Sequence, residues 1–217
     1  MIKNIYFDLD GTLVDSAPGI IEGLKRTLIK FGYEIPDYST LRKCVGPPFT
    51  VSYPDILHIK DEDFTEAVAY YRHYYDVENG MYNATVFAGV EDLLKELVKR
   101  GYCLFVCTSK PEPTARKLLK KLEIDKYFTD ICGATYDAKI DTKTDVINLC
   151  FERAPWHKKD ETILIGDTKY DAEGAYNTGI RCIGVSWGFG DCAEMEAAGA
   201  VEILDLPSEV LDYIEAN

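Results

Sequence analysis

Four short runs of this sequence are apolar without polar alternation: Ile5-Tyr6-Phe7, Tyr102 to Cys107, Ile163-Leu164-Ile165 and Cys182-Ile183-Gly184-Val185. Strands of that kind are covered on both faces, as strands of parallel sheets are. Between them, apolar residues recur at helical spacing: Val90, Leu93, Leu94, Leu97 and Val98, then Ala115, Leu118, Leu119 and Leu122, then Val146, Ile147 and Cys150. Further strands are predicted at Phe128–Cys132 and Val201–Leu204, a helix over residues 171–178 ended by Gly179, and a closing helix carrying Val210, Leu211 and Ile214. Strands and helices alternating in this way predict an α/β fold, a doubly wound parallel sheet of Rossmann-like form.

The first run is separated from the second by a long stretch of different character. Ile20, Ile21, Leu24, Leu28 and Phe31 predict a helix from Pro18 to Phe31, which Asp15 or Ser16 can cap and Gly32 ends. Phe64, Val68, Tyr71 and Tyr75 predict a second helix from about Asp61 to Asp76. Turn signals stand at Ile35-Pro36-Asp37 and Gly46-Pro47-Pro48, and no strand is evident. Residues 16–82 therefore read as a helical insert placed after the first strand, with residues 1–15 and 83–217 forming the α/β core.

The net charge of −13 argues against nucleic acid as a partner, since that binding needs a basic face. It also repels anionic substrates in general, so a phosphate site here needs a local metal and a lysine. No apolar run approaches the roughly 18 residues that span a bilayer. A single Lys precedes the first strand, and no leader segment is expected. The seven cysteines are odd in number, form no C-x-x-C pair and lie largely in apolar runs. They suit buried small hydrophobes in a reducing cytoplasm. A cytoplasmic monomer or weak homodimer is the expectation.

Polar clusters follow the strands. Asp8-Leu9-Asp10-Gly11-Thr12 follows the first, Thr108-Ser109-Lys110-Pro111 the second, Gly166-Asp167-Thr168-Lys169-Tyr170-Asp171 the third, and Trp187-Gly188 the fourth. In a parallel sheet all carboxyl ends lie on one edge, so these clusters share a crevice. Each has a plainer reading alone: an Asx turn at Asp8, helix caps at Thr108 and Ser109, macrodipole acids at Asp167 and Asp171. Together, the acids, hydroxyls and a lysine suit a divalent cation with oxygen ligands beside a phosphate. Lys143, Lys139 and Lys110 compete as the lysine that neutralises that phosphate.

With Lys143, these clusters resemble the four motifs of the haloacid dehalogenase superfamily over nearly the whole chain, and the insert resembles that family's cap domain. The most similar branch holds phosphoglycolate phosphatases and 5′-nucleotidase-like enzymes. Gly46-Pro47-Pro48-Phe49 resembles its Gly-x-Pro loop, and Lys143-Thr144-Asp145-Val146-Ile147 the nucleotidase-like third motif. Phosphoglycolate phosphatases more often carry Lys-Pro-x-Pro there, Thr-Asn-Lys in place of Thr108-Ser109-Lys110, and Pro in place of Ala88.

The resemblance implies a Mg²⁺-dependent phosphatase acting on a small phosphate ester, phosphoglycolate-like or nucleoside-monophosphate-like. Asp8 would be the nucleophile, forming an aspartyl-phosphate. Asp10 would act as general acid and base, oriented by Thr12. The metal would be held by Asp8, the Asp10 backbone carbonyl and Asp167, with Asp171 as a further ligand or just behind. Thr108 or Ser109 would bond the phosphoryl oxygens, Gly11 and Thr12 would lie against the substrate, and Lys143 would hold Asp8 and add positive charge. From the insert, Arg42, Lys43, the Gly46 loop, Arg72 and His73 would face the substrate; each is otherwise a solvated surface group. The runner-up is a phosphosugar mutase on the same fold. Such enzymes usually place a His shortly after the acid matching Asp15, where this chain has Ile20. A dehalogenase does not need Asp10, and a non-catalytic relative would have lost a motif acid; Asp8, Asp10 and Asp167 are all present.

Overall fold

The computed structural model describes residues 1–217. Strand β1 (Asn4–Phe7) leads into a two-residue strand β2 (Val14–Asp15). Helices α1 (Ala17–Phe31), α2 (Tyr38–Arg42), α3 (Phe49–Val51) and α4 (Asp61–Arg72) follow, and then strand β3 (Thr85–Val86). Thereafter helices and strands alternate: α5 (Val90–Lys99), β4 (Cys103–Pro111), α6 (Glu112–Lys121), β5 (Asp130–Ala134), α7 (Lys143–Arg153), β6 (Thr162–Gly166), α8 (Lys169–Thr178), β7 (Arg181–Val185), α9 (Cys192–Ala197), β8 (Glu202–Leu204) and α10 (Pro207–Ala216).

Six strands form one sheet in the order β5-β4-β1-β6-β7-β8, and every neighbouring pair is parallel. The chain lays β4 and β5 to one side of β1, then crosses back to place β6, β7 and β8 on the other. The strand order thus reverses between β1 and β6. Open α/β sheets present a crevice at such a point, outside the carboxyl ends of the strands.

Successive side chains of a strand point to opposite faces, which is why these strands are apolar throughout. Ile5 and Phe7 of β1 face one layer with Leu104, Val106, Ile163 and Ile165, against Leu94, Leu97, Leu118, Leu119 and Val210 of the helices. Tyr6 faces the other layer with Phe105 and Leu164, against Val146, Ile147 and Cys150 of α7 and Ala172 and Ala175 of α8. The insert has a cluster of its own, where Ile20, Ile21, Leu24 and Leu28 of α1 pack with Leu41, Tyr53, Ala67, Tyr71 and Tyr75. It enters through β2 and leaves through β3, which pair antiparallel with Asp15 opposite Thr85.

Several local expectations shift. Strand β4 continues through Thr108, Ser109 and Lys110 to Pro111, so those residues extend the sheet and do not cap α6. Helix α1 is capped by the Asp15 carboxylate, which accepts from the Ala17 N–H at 3.2 Å; Ser16 makes no such bond. Helix α4 stops at Arg72 and continues as one wider π-helical turn, His73–Val77. Strand β5 begins at Asp130 instead of Phe128.

Behind β1 the Tyr6 hydroxyl lies 2.8 Å from His157 Nδ1, and His157 Nε2 is buried without a partner. Burial holds that imidazole's pKa below its ordinary 6.5. As pH falls through the ordinary value, the unfolded chain takes up a proton that the folded one refuses, so stability present above it is lost on acidification. The gap in thermal midpoint between wild type and His157→Gln should therefore narrow between neutral pH and pH about 5; a gap independent of pH would contradict this.

Candidate active site

Asp8 and Asp167 are each the first residue beyond β1 and β6, the two strands that flank the crevice. The Asp8 N–H donates to the Ile165 carbonyl at 2.8 Å, which carries the sheet register one residue past β1 and fixes where its carboxylate emerges. Asp167 is fully buried. Its Oδ1 accepts from the Thr12 hydroxyl at 3.2 Å and its Oδ2 from the Phe189 N–H at 2.8 Å.

Two capping boxes bring the remaining charges in. At the start of α8, Asp171 Oδ2 accepts from the Thr168 N–H and hydroxyl, and the Asp171 N–H donates to the Thr168 carbonyl. Thr142 and Asp145 bond reciprocally at the start of α7, which sets Lys143 as its first residue. Lys143 Nζ donates to Asp8 Oδ1 at 2.5 Å and to the Cys107 carbonyl at 3.0 Å. It also pairs with Asp171 Oδ1 at 2.8 Å, as an ion pair without hydrogen-bond geometry. Oxygens of Asp8, Asp167 and Asp171 all lie within 4.8 Å of one another.

A second pair lies alongside. Lys110 Nζ donates to both oxygens of Asp10, at 2.8 and 2.9 Å, and to the Tyr75 hydroxyl of the insert at 2.9 Å. Thr108 is buried, and its hydroxyl accepts from the Lys110 N–H at 3.1 Å. Thr108 and Ser109 line a small cleft with Asp8, Asp10, Gly46, Lys110 and Lys143. A wider cavity opens from Asp10 towards the insert, lined by Gly46, Phe49, Tyr71, Arg72 and Ser109 among others.

Burial pushes the Asp8 carboxyl up to about 7; Lys143 works against this rise, while Asp171 adds to it. Asp167 is held well above the ordinary carboxylate range by burial, then by Asp8 and Asp171. Burial works against the Lys143 charge, but Asp171 and Asp8 outweigh it and hold its pKa well up. Fully ionised, the four buried carboxylates (Asp8, Asp10, Asp167, Asp171) outnumber the two buried ammonium groups (Lys110, Lys143) by two negative charges. That deficit, on hard oxygen donors, fits one divalent cation.

Residues 5–185 match the family model described as haloacid dehalogenase-like hydrolase. The chain belongs to that family. A 5′-nucleotidase of Pseudomonas aeruginosa is 35% identical over 194 residues, which cover 89% of this chain and 87% of that protein. A phosphoglycolate phosphatase of Pseudomonas fluorescens is 28% identical over 193 residues, 85% of this chain and 70% of that one. The crystal structure of a predicted phosphatase from Clostridium acetobutylicum superposes with a TM-score of 0.94 at 38% identity, covering all of both chains. This haloacid dehalogenase-like chain is therefore an enzyme of the hydrolase class, in keeping with a phosphoric monoester hydrolase.

The structure brings Asp8, Asp10, Thr108, Ser109, Lys143, Asp167 and Asp171 together. It separates others. Lys139 is exposed and pairs with Asp137. Arg42 is exposed, with its guanidinium bonded to the Gly188 carbonyl at 2.6 Å and lying over the Phe189 ring; it ties the insert to the core and does not line the cavity beside Asp10. Lys43 lies in the same outer groove, and His73 is exposed beside Glu78. Gly46 and Arg72 do line the cavity. Thr12 reaches Asp167 and not Asp10; the partner of Asp10 is Lys110. Tyr75 and Phe189 carried no sequence signal, since one sits in an apolar stripe and the other acts through its backbone.

Gly11 has φ +94°, and a Cβ there would collide with the Asp167 carboxylate. A Cβ on Gly188 would likewise collide with Asp167 and with the Gly11 carbonyl. Gly11→Ala should displace Asp167 and cut turnover by about a hundredfold with the protein still folded; near wild-type turnover would contradict this.

The acid cluster also predicts a pH-dependent metal effect. Asp8 ionises near 3.8 when unfolded and at about 7 when folded. Between those values the folded state holds the extra proton, so its stability falls as pH rises. A bound divalent cation would replace that proton. The rise in thermal midpoint on adding the cation should therefore grow from acid to neutral pH, and a pH-independent rise would count against the assignment.

Proposed function

We propose that this chain is a Mg²⁺-dependent phosphatase that hydrolyses a small phosphorylated metabolite through an aspartyl-phosphate on Asp8, with residues 16–82 acting as the cap domain over a core of 1–15 and 83–217. The observation that carries the reading is the Asp8 carboxylate. It stands at the switch point of the sheet, held by Lys143, in a pocket with two more buried carboxylates than ammonium groups. Asp8, Asp167 and the Asp10 backbone carbonyl would hold Mg²⁺, with Asp171 behind them, and the ion would offset the charge of the phosphoryl group.

Asp8 attacks phosphorus, forming a carboxylate oxygen–phosphorus bond as the ester oxygen leaves. Lys143 keeps Asp8 turned towards the site and neutralises developing charge. Thr108 and Ser109 donate to the phosphoryl oxygens. Asp10 gives the leaving alkoxide a proton, then takes one from the water that attacks the acyl-phosphate and regenerates Asp8. In the structure both Asp10 oxygens are held by Lys110, so Asp10 must give up one of those bonds to carry a proton. The cap would close over the substrate and exclude bulk water. The three relatives compared above are named as phosphatases and a nucleotidase, which does not favour the mutase. Seven free cysteines, most of them buried, fit a reducing cytoplasm.

The test is a panel of phosphate esters, spanning nucleoside monophosphates, sugar phosphates and phosphoglycolate, assayed with and without Mg²⁺. Inorganic phosphate should be released from at least one, with loss of activity on chelation. Lys143→Ala should lower kcat by about a hundredfold or more. A folded, metal-loaded sample that releases phosphate from none would falsify the proposal.

A further inference from the structure

On the phosphatase reading, the cavity between Asp10 and the insert receives the leaving alcohol. Its ionisable walls are few. Asp10 and Lys110 form a closed pair, and the third Lys110 contact goes to Tyr75. Beyond that pair, Arg72 brings one positive charge, while Asp76 and Asp141 bring two negative ones. Arg72 lies over the Tyr136 ring, 5.2 Å from its centre, on the same helical stretch as Asp76. Arg72 makes no ion pair, and Asp76 accepts from the Thr114 and Tyr136 hydroxyls, so beyond the Asp10–Lys110 pair the wall carries one net negative charge. Beside the Ser109, Thr114 and Thr135 hydroxyls, the surface is largely aromatic and aliphatic. Tyr71 and Tyr75 stack at 5.4 Å with planes 16° apart, and Phe49 meets Tyr71 edge-on at 4.9 Å.

We propose that this cavity selects an uncharged alcohol that bears a planar ring, and disfavours a hydroxy acid. The inference rests on the phosphatase reading of the site. A carboxylate on the leaving group enters a space already net negative and partly desolvated, where like charges repel more strongly than in water. A neutral ring loses water against Phe49, Tyr71 and Tyr75 without that cost. Asp141 and Asp76 set the charge preference.

The experiment compares phenyl phosphate with its meta-carboxylated counterpart, and a nucleoside 5′-monophosphate with phosphoglycolate, on the Mg²⁺-loaded full chain. Within each pair kcat/KM should favour the uncharged leaving group by about tenfold or more. Asp141→Asn should narrow both ratios, chiefly through KM for the carboxylated ester, whereas a purely structural role for Asp141 would move both members of a pair together. Equal or inverted ratios overturn the inference while leaving the phosphatase reading standing. So does hydrolysis confined to esters without a ring. Phosphate release from no ester brings down the phosphatase reading itself.

Discussion

Three carboxylates and one ammonium, buried where the strand order turns, are the constraint on which the rest of the structure depends. Two like charges about 4 Å apart repel by roughly 4 kcal/mol at an effective dielectric of about 20. Asp8, Asp167 and Asp171 stay close only because the fold supplies countermeasures. Lys143 reaches Asp8 and Asp171 together from the first turn of α7. Thr12 and the Phe189 N–H satisfy Asp167. The Thr168 box takes the second oxygen of Asp171. What these leave unmatched is what a divalent ion would supply, so an acid-rich chain can hold a phosphate at one point of its surface.

The sheet was legible because burial on both faces leaves a mark that needs no context: Ile5, Tyr6 and Phe7 must all be apolar when helices cover both sides. The helical insert was legible for a similar reason, through the stripe of Ile20, Leu24 and Leu28. Strands β2 and β3 were not. Each is two residues long, and each exists only because the other closes the insert across about seventy intervening residues. The wider turn at His73–Val77 also left no pattern, since it changes the hydrogen-bond register without changing which residues are apolar.

Within the site, the residues that emerge from strand ends could be placed from the sequence. Asp8 and Asp167 follow apolar runs directly, and parallel strands align their carboxyl ends. Long side chains could not be placed this way. Arg42 and Arg72 look alike in sequence, yet one clasps a core carbonyl and the other lines the cavity. Lys110 and Lys143 were rivals for one role. The structure gives each its own carboxylate, so that Asp10 and Asp8 are separately restrained. Thr12 was expected on Asp10 and lies on Asp167, because Gly11 turns the backbone between them.

The separate restraint of Asp8 and Asp10 gives the two acids different work. One is aimed by a lysine that belongs to the core alone. The other is tied through Lys110 to Tyr75, a residue of the insert, so the acid proposed to handle protons is linked to the insert. The most direct measurement is mass analysis of protein quenched in acid during turnover. One phosphoryl group should be found on the peptide that carries Asp8, and none in Asp8→Asn. Turnover with no phosphorylated Asp8, or an Asp8→Asn variant as active as wild type, would contradict the account.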